Sequence, residues 1–140
     1  MQSLFQHILC PVDFTDKNTP ALDVVYAMLP QSRVTLLHVI ERIEYAEDEE
    51  TQQFYNGLEE KARERLAEMA QRFVDAGRSI ETHTIFGRRG PEIVRYAIDA
   101  DVDLVVLSSH KIDRQQLTGG WATLSYQVSI LCPSPVLLVK

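Results

Sequence analysis

Two cysteines in 140 residues leave no disulfide framework, and neither stands in a CxxC spacing or beside a histidine pair, so redox and zinc chemistry are not signalled. Cys10 falls inside an apolar strand pattern and Cys132 at the end of a helical one, and both are expected to be reduced packing residues. Long apolar runs are also missing. Nothing approaches the roughly 18 residues needed to cross a bilayer, which argues against membrane insertion. The opening residues, Met1-Gln2-Ser3-Leu4-Phe5-Gln6-His7, lack the basic and apolar regions of a signal peptide, so a cytoplasmic location is expected. Positive charge is scarce: 14 Lys and Arg against 20 Asp and Glu give a net charge of −6, a surface that repels nucleic acid.

What is present describes one globular domain over residues 1–140, with 45% apolar and 24% charged residues. Much of the acid lies together, at Glu41, Glu44, Glu47, Asp48, Glu49 and Glu50. These carboxylates have neither histidine neighbours nor the spacing and glycine of a calcium loop, so the stretch 44–51 reads as a solvated loop and no metal site is expected.

Strand and helix patterns alternate five times. Phe5 to Val12 reads as a buried strand, followed by a polar loop from Asp13 to Asn18. Thr19-Pro20 has the form of a hydroxyl cap with proline at the first helical position, and Leu22, Val25, Tyr26 and Leu29 mark one apolar face. Arg33 to Ile40 is an almost unbroken apolar strand, as expected when both faces are covered. Phe54, Leu58, Ala62, Leu66, Met69 and Phe73 recur at steps of four, four, four, three and four, the stripe of a long helix ending at Gly77. Glu59 with Arg63 and Glu68 with Arg72 add pairs on its wet face. Ser79 to Phe86 alternates as a half-covered strand. Gly87-Arg88-Arg89-Gly90 reads as a turn, with Pro91 opening a helix whose Ile93, Val94, Ala97 and Ile98 face inward. Asp101 to Leu107 gives a fourth strand. Trp121, Leu124, Val128 and Leu131 give a last helix, and Pro135 to Lys140 a fifth strand. Such alternation implies an α/β fold with a doubly wound parallel sheet and right-handed crossovers.

The segment 108–120 joins the fourth strand to the last helix, the junction where α/β proteins place nucleotides. It holds Gly119 and Gly120 late and no glycine early. Lys111 and Arg114 put two cations in it, and Arg88 and Arg89 put two more in the neighbouring turn; the first reading is solvated surface charge, the second a phosphate held by side chains rather than by backbone. Asp13, at the end of the first strand, has two readings: an acceptor for a ribose or base donor, or a cap of its own loop.

Five ordered segments together resemble the universal stress protein (UspA-like) family along essentially the whole chain. They are His7-Ile8-Leu9-Cys10-Pro11-Val12-Asp13, Leu36-Leu37-His38-Val39-Ile40, Gly90-Pro91 with Ile93, Asp103-Leu104-Val105-Val106-Leu107-Ser108-Ser109-His110, and Cys132-Pro133-Ser134-Pro135-Val136-Leu137-Leu138-Val139. The resemblance implies a five-stranded parallel Rossmann-like (adenine nucleotide alpha hydrolase-like) open sheet flanked by helices on both faces. It also implies a homodimer through the last strand, Val136, Leu137, Leu138 and Val139, whose apolar edge would otherwise be bare.

ATP-binding members of that family carry an Asp after the first strand and a loop of the form G-x-x-G-x9-G-[ST]. By that resemblance the nucleotide-site candidates here are Pro11, Asp13, Val39, Ser108, His110, Lys111, Gly119, Gly120 and Thr123. Ser108 and Lys111 stand where the first two glycines would be, and Ala122-Thr123 where the family has Gly-Ser. A Cβ at those positions blocks close approach of backbone to phosphate, so tight ATP binding is not expected. The chain also lacks a Walker lysine motif and a framed nucleophile. The expectation is a non-catalytic, homodimeric stress-response domain with a degenerate nucleotide loop, acting through a protein partner or through its level of expression. The alternative is a switch that binds ATP or AMP.

Overall fold

In the computed structural model, which describes residues 4–28, 30–42, 48–109 and 124–140, apolar residues face both ways along each inner strand. In β1 (His7–Pro11), Ile8 and Cys10 lie on one face and Leu9 on the other, and none of the three is exposed. In β2 (Arg33–Ile40), Val34 and Leu36 oppose Leu37 and Val39 in the same way, and in β4 (Leu104–Ser108), Leu104 and Val106 oppose Val105 and Leu107. Such strands need cover on both sides, which only helical crossovers supply. Helices α1 (Asn18–Ala27) and α2 (Glu49–Asp75) cover one face with Val25, Leu66, Ala70 and Phe73. Helices α3 (Arg89–Asp99) and α4 (Leu124–Leu131) cover the other with Ile93, Ala97 and Val128.

With β3 (Ile80–Phe86) and β5 (Val136–Val139) at its edges, the parallel sheet runs in the order β3-β2-β1-β4-β5. The edges are wetter than the centre: Glu81, Thr82 and His83 are exposed on β3, and Leu137 and Leu138 on β5. Both cysteines are free and buried, and burial pushes the Cys10 thiol up to about 12, so it packs as an apolar group. Among the described residues no helix is long and apolar enough to cross a membrane.

Several helix ends differ from the sequence expectation, each for a local reason. Helix α1 begins at Asn18 after Lys17, without a side-chain cap, so Thr19 is not its cap and Pro20 falls at the third helical position. The missing N–H of Pro20 is still one of the four that have no partner in a helix. Helix α2 begins at Glu49 because the Asp48 carboxylate accepts from the Thr51 N–H at 2.6 Å. The acidic stretch therefore ends in a cap and first turn, where negative charge suits the helix dipole, rather than in a loop. Residues 43–47 lie outside the described residues. The apolar stripe of α2 is buried only from Ala62 onward, since Phe54 and Leu58 are exposed. Arg63 pairs with Glu59 as the spacing suggests, but Arg72 pairs with Asp23 of α1 at 2.8 Å instead of with Glu68, stacking on Tyr26 as it crosses. Helix α3 starts at Arg89, two residues before Pro91, and Ile98 lies on its wet side, as Leu131 does on α4.

The far end of the sheet, where the strands begin, is closed by paired polar groups. His7 is buried, with Nε2 2.7 Å from the Thr35 hydroxyl and Nδ1 within reach of the Ala100 carbonyl and the Arg33 guanidinium. Asp103 accepts from the backbone N–H groups of Gln6 and His7.

Phe73 is the largest fully buried side chain and joins α2 to α1 through an edge contact with Tyr26 at 5.3 Å. Phe73→Ala is expected to cost about 3–5 kcal/mol in denaturant unfolding, with an unchanged slope.

Candidate functional site

Strands β1 and β4 are paired only at Ile8↔Leu104 and Leu9↔Val105, and from there their carboxyl ends separate. The chain leaves β1 toward α1 on one face and leaves β4 toward α4 on the other, so a crevice opens between them at the switch point of the strand order. Pro11 stands at its lip and offers no N–H to a neighbour. The crevice has a volume of about 40 Å³ and is lined by Pro11, Asp13 and Asn18 from the first lip, Leu107 and Ser108 from the second, and Val39, Arg89 and Ile93 beside them.

Of the candidates named from the sequence, Pro11, Asp13, Val39 and Ser108 come together here. His110, Lys111, Gly119, Gly120 and Thr123 lie outside the described residues, as does Trp121. Two further lining residues were not among the candidates. Asn18 is buried and ties the lips together: its side-chain oxygen accepts from the Asp13 N–H at 2.9 Å and its amide nitrogen donates to the Ser108 hydroxyl at 3.2 Å. Only its place at a loop end could have drawn notice in the sequence. Arg89 reaches the crevice from the first position of α3, and its signal was present as one of two cations in the turn before Pro91.

The capping role of Asp13 is visible. Its Oδ1 accepts from both the N–H and the hydroxyl of Thr15, at 3.0 and 2.6 Å. Burial alone would push this carboxyl up, but the Thr15 bonds and the nearby Arg89 cation outweigh it and hold the group below the usual carboxylate range. Beside it, Phe14 sits at φ 66°, a conformation costing about 1–2 kcal/mol for a residue other than glycine. Its ring is held against His38, centroids 4.2 Å apart, and under the Arg65 guanidinium at 4.5 Å. His38 Nδ1 lies 2.8 Å from the Val12 carbonyl. Burial, aided by Arg89 and Arg65, keeps its pKa below the ordinary value although Val12 and Asp13 oppose this, so the ring is neutral at pH 7 and donates that bond. The crevice thus combines an ionised acceptor, a hydroxyl, a cation and apolar walls, and among the described residues it holds no nucleophile hydrogen-bonded to a base. Among the described residues no three His, Cys, Asp or Glu side chains converge as a metal site would require.

The fold is thus a doubly wound parallel α/β domain with a mixed polar and apolar crevice at its switch point. The model of the Universal stress protein family matches residues 4–140, and the chain belongs to that family. Universal stress protein MJ0577 of Methanocaldococcus jannaschii is 27% identical over 160 residues, spanning 100% of this chain and 98% of the relative. Its solved structure superposes with a TM-score of 0.82 at 28% identity, covering 99% of this chain and 97% of that one. The crystal structure of hypothetical protein PH0823 gives 0.76 at 29% identity, over 97% and 96% of the two chains. A family protein from Arabidopsis thaliana, crystallised with AMP bound, shares the fold at a TM-score of 0.70 and 17% identity, over 96% and 91%.

Because the Asp13 pKa is lowered on folding, the charged form contributes stability that is present above the unfolded value near 3.8 and lost as pH falls through the folded value. Asp13→Asn should therefore lower unfolding free energy at pH 7, and the gap from the wild type should close below about pH 4 in pH-resolved denaturant titrations. A gap that stays constant down to pH 2 would show that the charge of Asp13 does not stabilise the fold.

Proposed function

We propose that this chain is a non-catalytic, homodimeric cytoplasmic stress-response domain whose crevice binds the nucleoside part of an adenine nucleotide, with weaker hold on a phosphate chain than a glycine-spaced loop provides. The observation that carries this reading is the placement of Asp13, ionised at the switch point, with both Thr15 bonds gathered on its Oδ1. A ribose hydroxyl set in the crevice would donate to this carboxylate, and Val39, Leu37 and Leu107 supply apolar walls for a base. Family structures with bound AMP, dAMP and cAMP support a mononucleotide as the ligand class. Ser108, where a glycine would let backbone reach phosphate, supports the loss of triphosphate contacts. Binding of such a ligand would alter the surface offered to a protein partner.

Calorimetry of the purified chain with AMP and ATP tests this directly. AMP should bind, ATP should bind no more than a few-fold tighter, and Asp13→Ala should weaken AMP by about tenfold or more, the worth of a hydrogen bond to a charged group. Absence of AMP binding up to about 10 mM, a level weaker than any ordinary cofactor site, would overturn the reading.

Support for the homodimer comes from the bare edge of β5. Leu137 and Leu138 are 37% and 38% exposed there, and Ile130 and Leu131 of α4 are 60% and 63% exposed close by in the chain. An apolar parallel edge of this kind is protected when a symmetry mate pairs with it. Sedimentation at micromolar concentration should give twice the chain mass, and Leu138→Lys should give the single chain. A wild-type monomer would refute the pairing.

A further inference from the structure

We infer that His7 is an acid-operated switch at the far end of the sheet. Its Nδ1 pairs with Arg33 of β2 while the ring is neutral, and protonation transfers that atom to the Ala100 carbonyl at the end of α3 and releases the guanidinium. The two partners make opposite demands on one atom. The Arg33 guanidinium, 3.0 Å away, can only donate and needs a bare nitrogen, whereas the Ala100 carbonyl, 3.2 Å away, can only accept and needs Nδ1–H. Both cannot be satisfied at once.

The other ring nitrogen leaves the choice open. Nε2 lies 2.7 Å from the Thr35 hydroxyl, which can accept from Nε2–H or donate to a bare Nε2. Thr35 is fully buried and is hydrogen-bonded in turn to the Tyr96 phenol of α3, so its hydroxyl keeps a partner either way. The decision therefore falls on Nδ1. There a bond from a charged donor outweighs one to a neutral carbonyl, which puts the single proton of the neutral ring on Nε2. A protonated ring donates from both nitrogens, to Thr35 and to Ala100, and repels Arg33. Ala100 ends α3, where the helix dipole favours a cation, and Arg33 is exposed, so it can turn outward without opening a cavity.

The charged groups acting on the ring are Arg33 of β2, Glu81 of β3 and Asp103 ahead of β4, with Tyr96 of α3 joined to it through Thr35. Burial and the Arg33 charge hold the His7 pKa below its ordinary value, although the Ala100 carbonyl, Glu81 and Asp103 favour the charged ring. The neutral arrangement is thus the one present at pH 7, and acid is needed to change it. The folded chain then binds fewer protons than the unfolded one, so stability falls as pH drops below the unfolded value of 6.5 and levels off beneath the folded value.

Nitrogen NMR of the histidine rings from about pH 8 to about pH 5, on the wild type, Arg33→Met and Arg33→Lys, tests this. At the upper end the wild type should carry its His7 proton on Nε2, with the Arg33 guanidinium protons protected from exchange. On acidification Nδ1 should gain a proton and the Arg33 protection should vanish with the same midpoint. Arg33→Met keeps the apolar stem without donor or charge, so it should move the neutral proton to Nδ1 and shift the midpoint upward. Arg33→Lys should restore the wild-type tautomer. Denaturant titrations over the same range should show a smaller loss of stability in Arg33→Met than in the wild type. A neutral wild-type ring protonated on Nδ1, or Arg33 protons that stay protected through the titration, would overturn the inference without recourse to any variant. So would a midpoint or a stability loss that Arg33→Met leaves unchanged.

Discussion

Burial of the three inner strands on both faces is the constraint from which the rest of this molecule follows. A strand with no wet face has nowhere to carry a polar side chain except at its ends, so hydrogen-bonding chemistry is driven to the two poles of the sheet. At one pole His7, Thr35 and Asp103 meet in a closed set of bonds. At the other, the separation of β1 from β4 keeps Asp13, Asn18 and Ser108 beside a crevice. The site is thus a product of topology first and of particular side chains second, which agrees with its position at the switch in strand order.

The fold was legible because long apolar runs and their punctuation report burial directly. RVTLLHVI marked β2 to the residue, and the helical stripe through Ala62, Leu66 and Phe73 named the buried side of α2. What could not be read was decided by contacts distant in sequence. Nothing local to Thr19 shows that Asn18 will be drawn inward by Ser108, 90 residues away, and so shift the start of α1. Nothing near Arg72 shows that Asp23 will take it from Glu68. Asp48 was a different kind of miss, since a cap followed by two glutamates is a local signal that the surrounding acid obscured.

The candidate site divides along the same line. Asp13, Pro11, Val39 and Ser108 could be named together because family-like segments place them at strand ends, where their neighbours are fixed by sheet register. Asn18 and Arg89 belong to helix starts, whose orientation depends on how each helix lands on the sheet. That dependence also explains why Lys61, Arg65 and Arg89, which line one pocket beside the crevice, were invisible as a group. Lys61 and Arg65 look in sequence like ordinary members of the wet side of an amphipathic helix, and only the arrival of Arg89 from another crossover turns them into neighbours of one cavity.

A sheet with one pole sealed and the other open has a front and a back. The back is held by His7 between Thr35, Ala100 and Arg33, so a ligand bound as proposed would enter and leave by the crevice. A partner that reads the occupied state would then face that opening, or touch α1 and α3, whose first residues line it. In a two-fold assembly built on the β5 edges, with the strands of the two copies running antiparallel, the two doorways would open toward opposite ends.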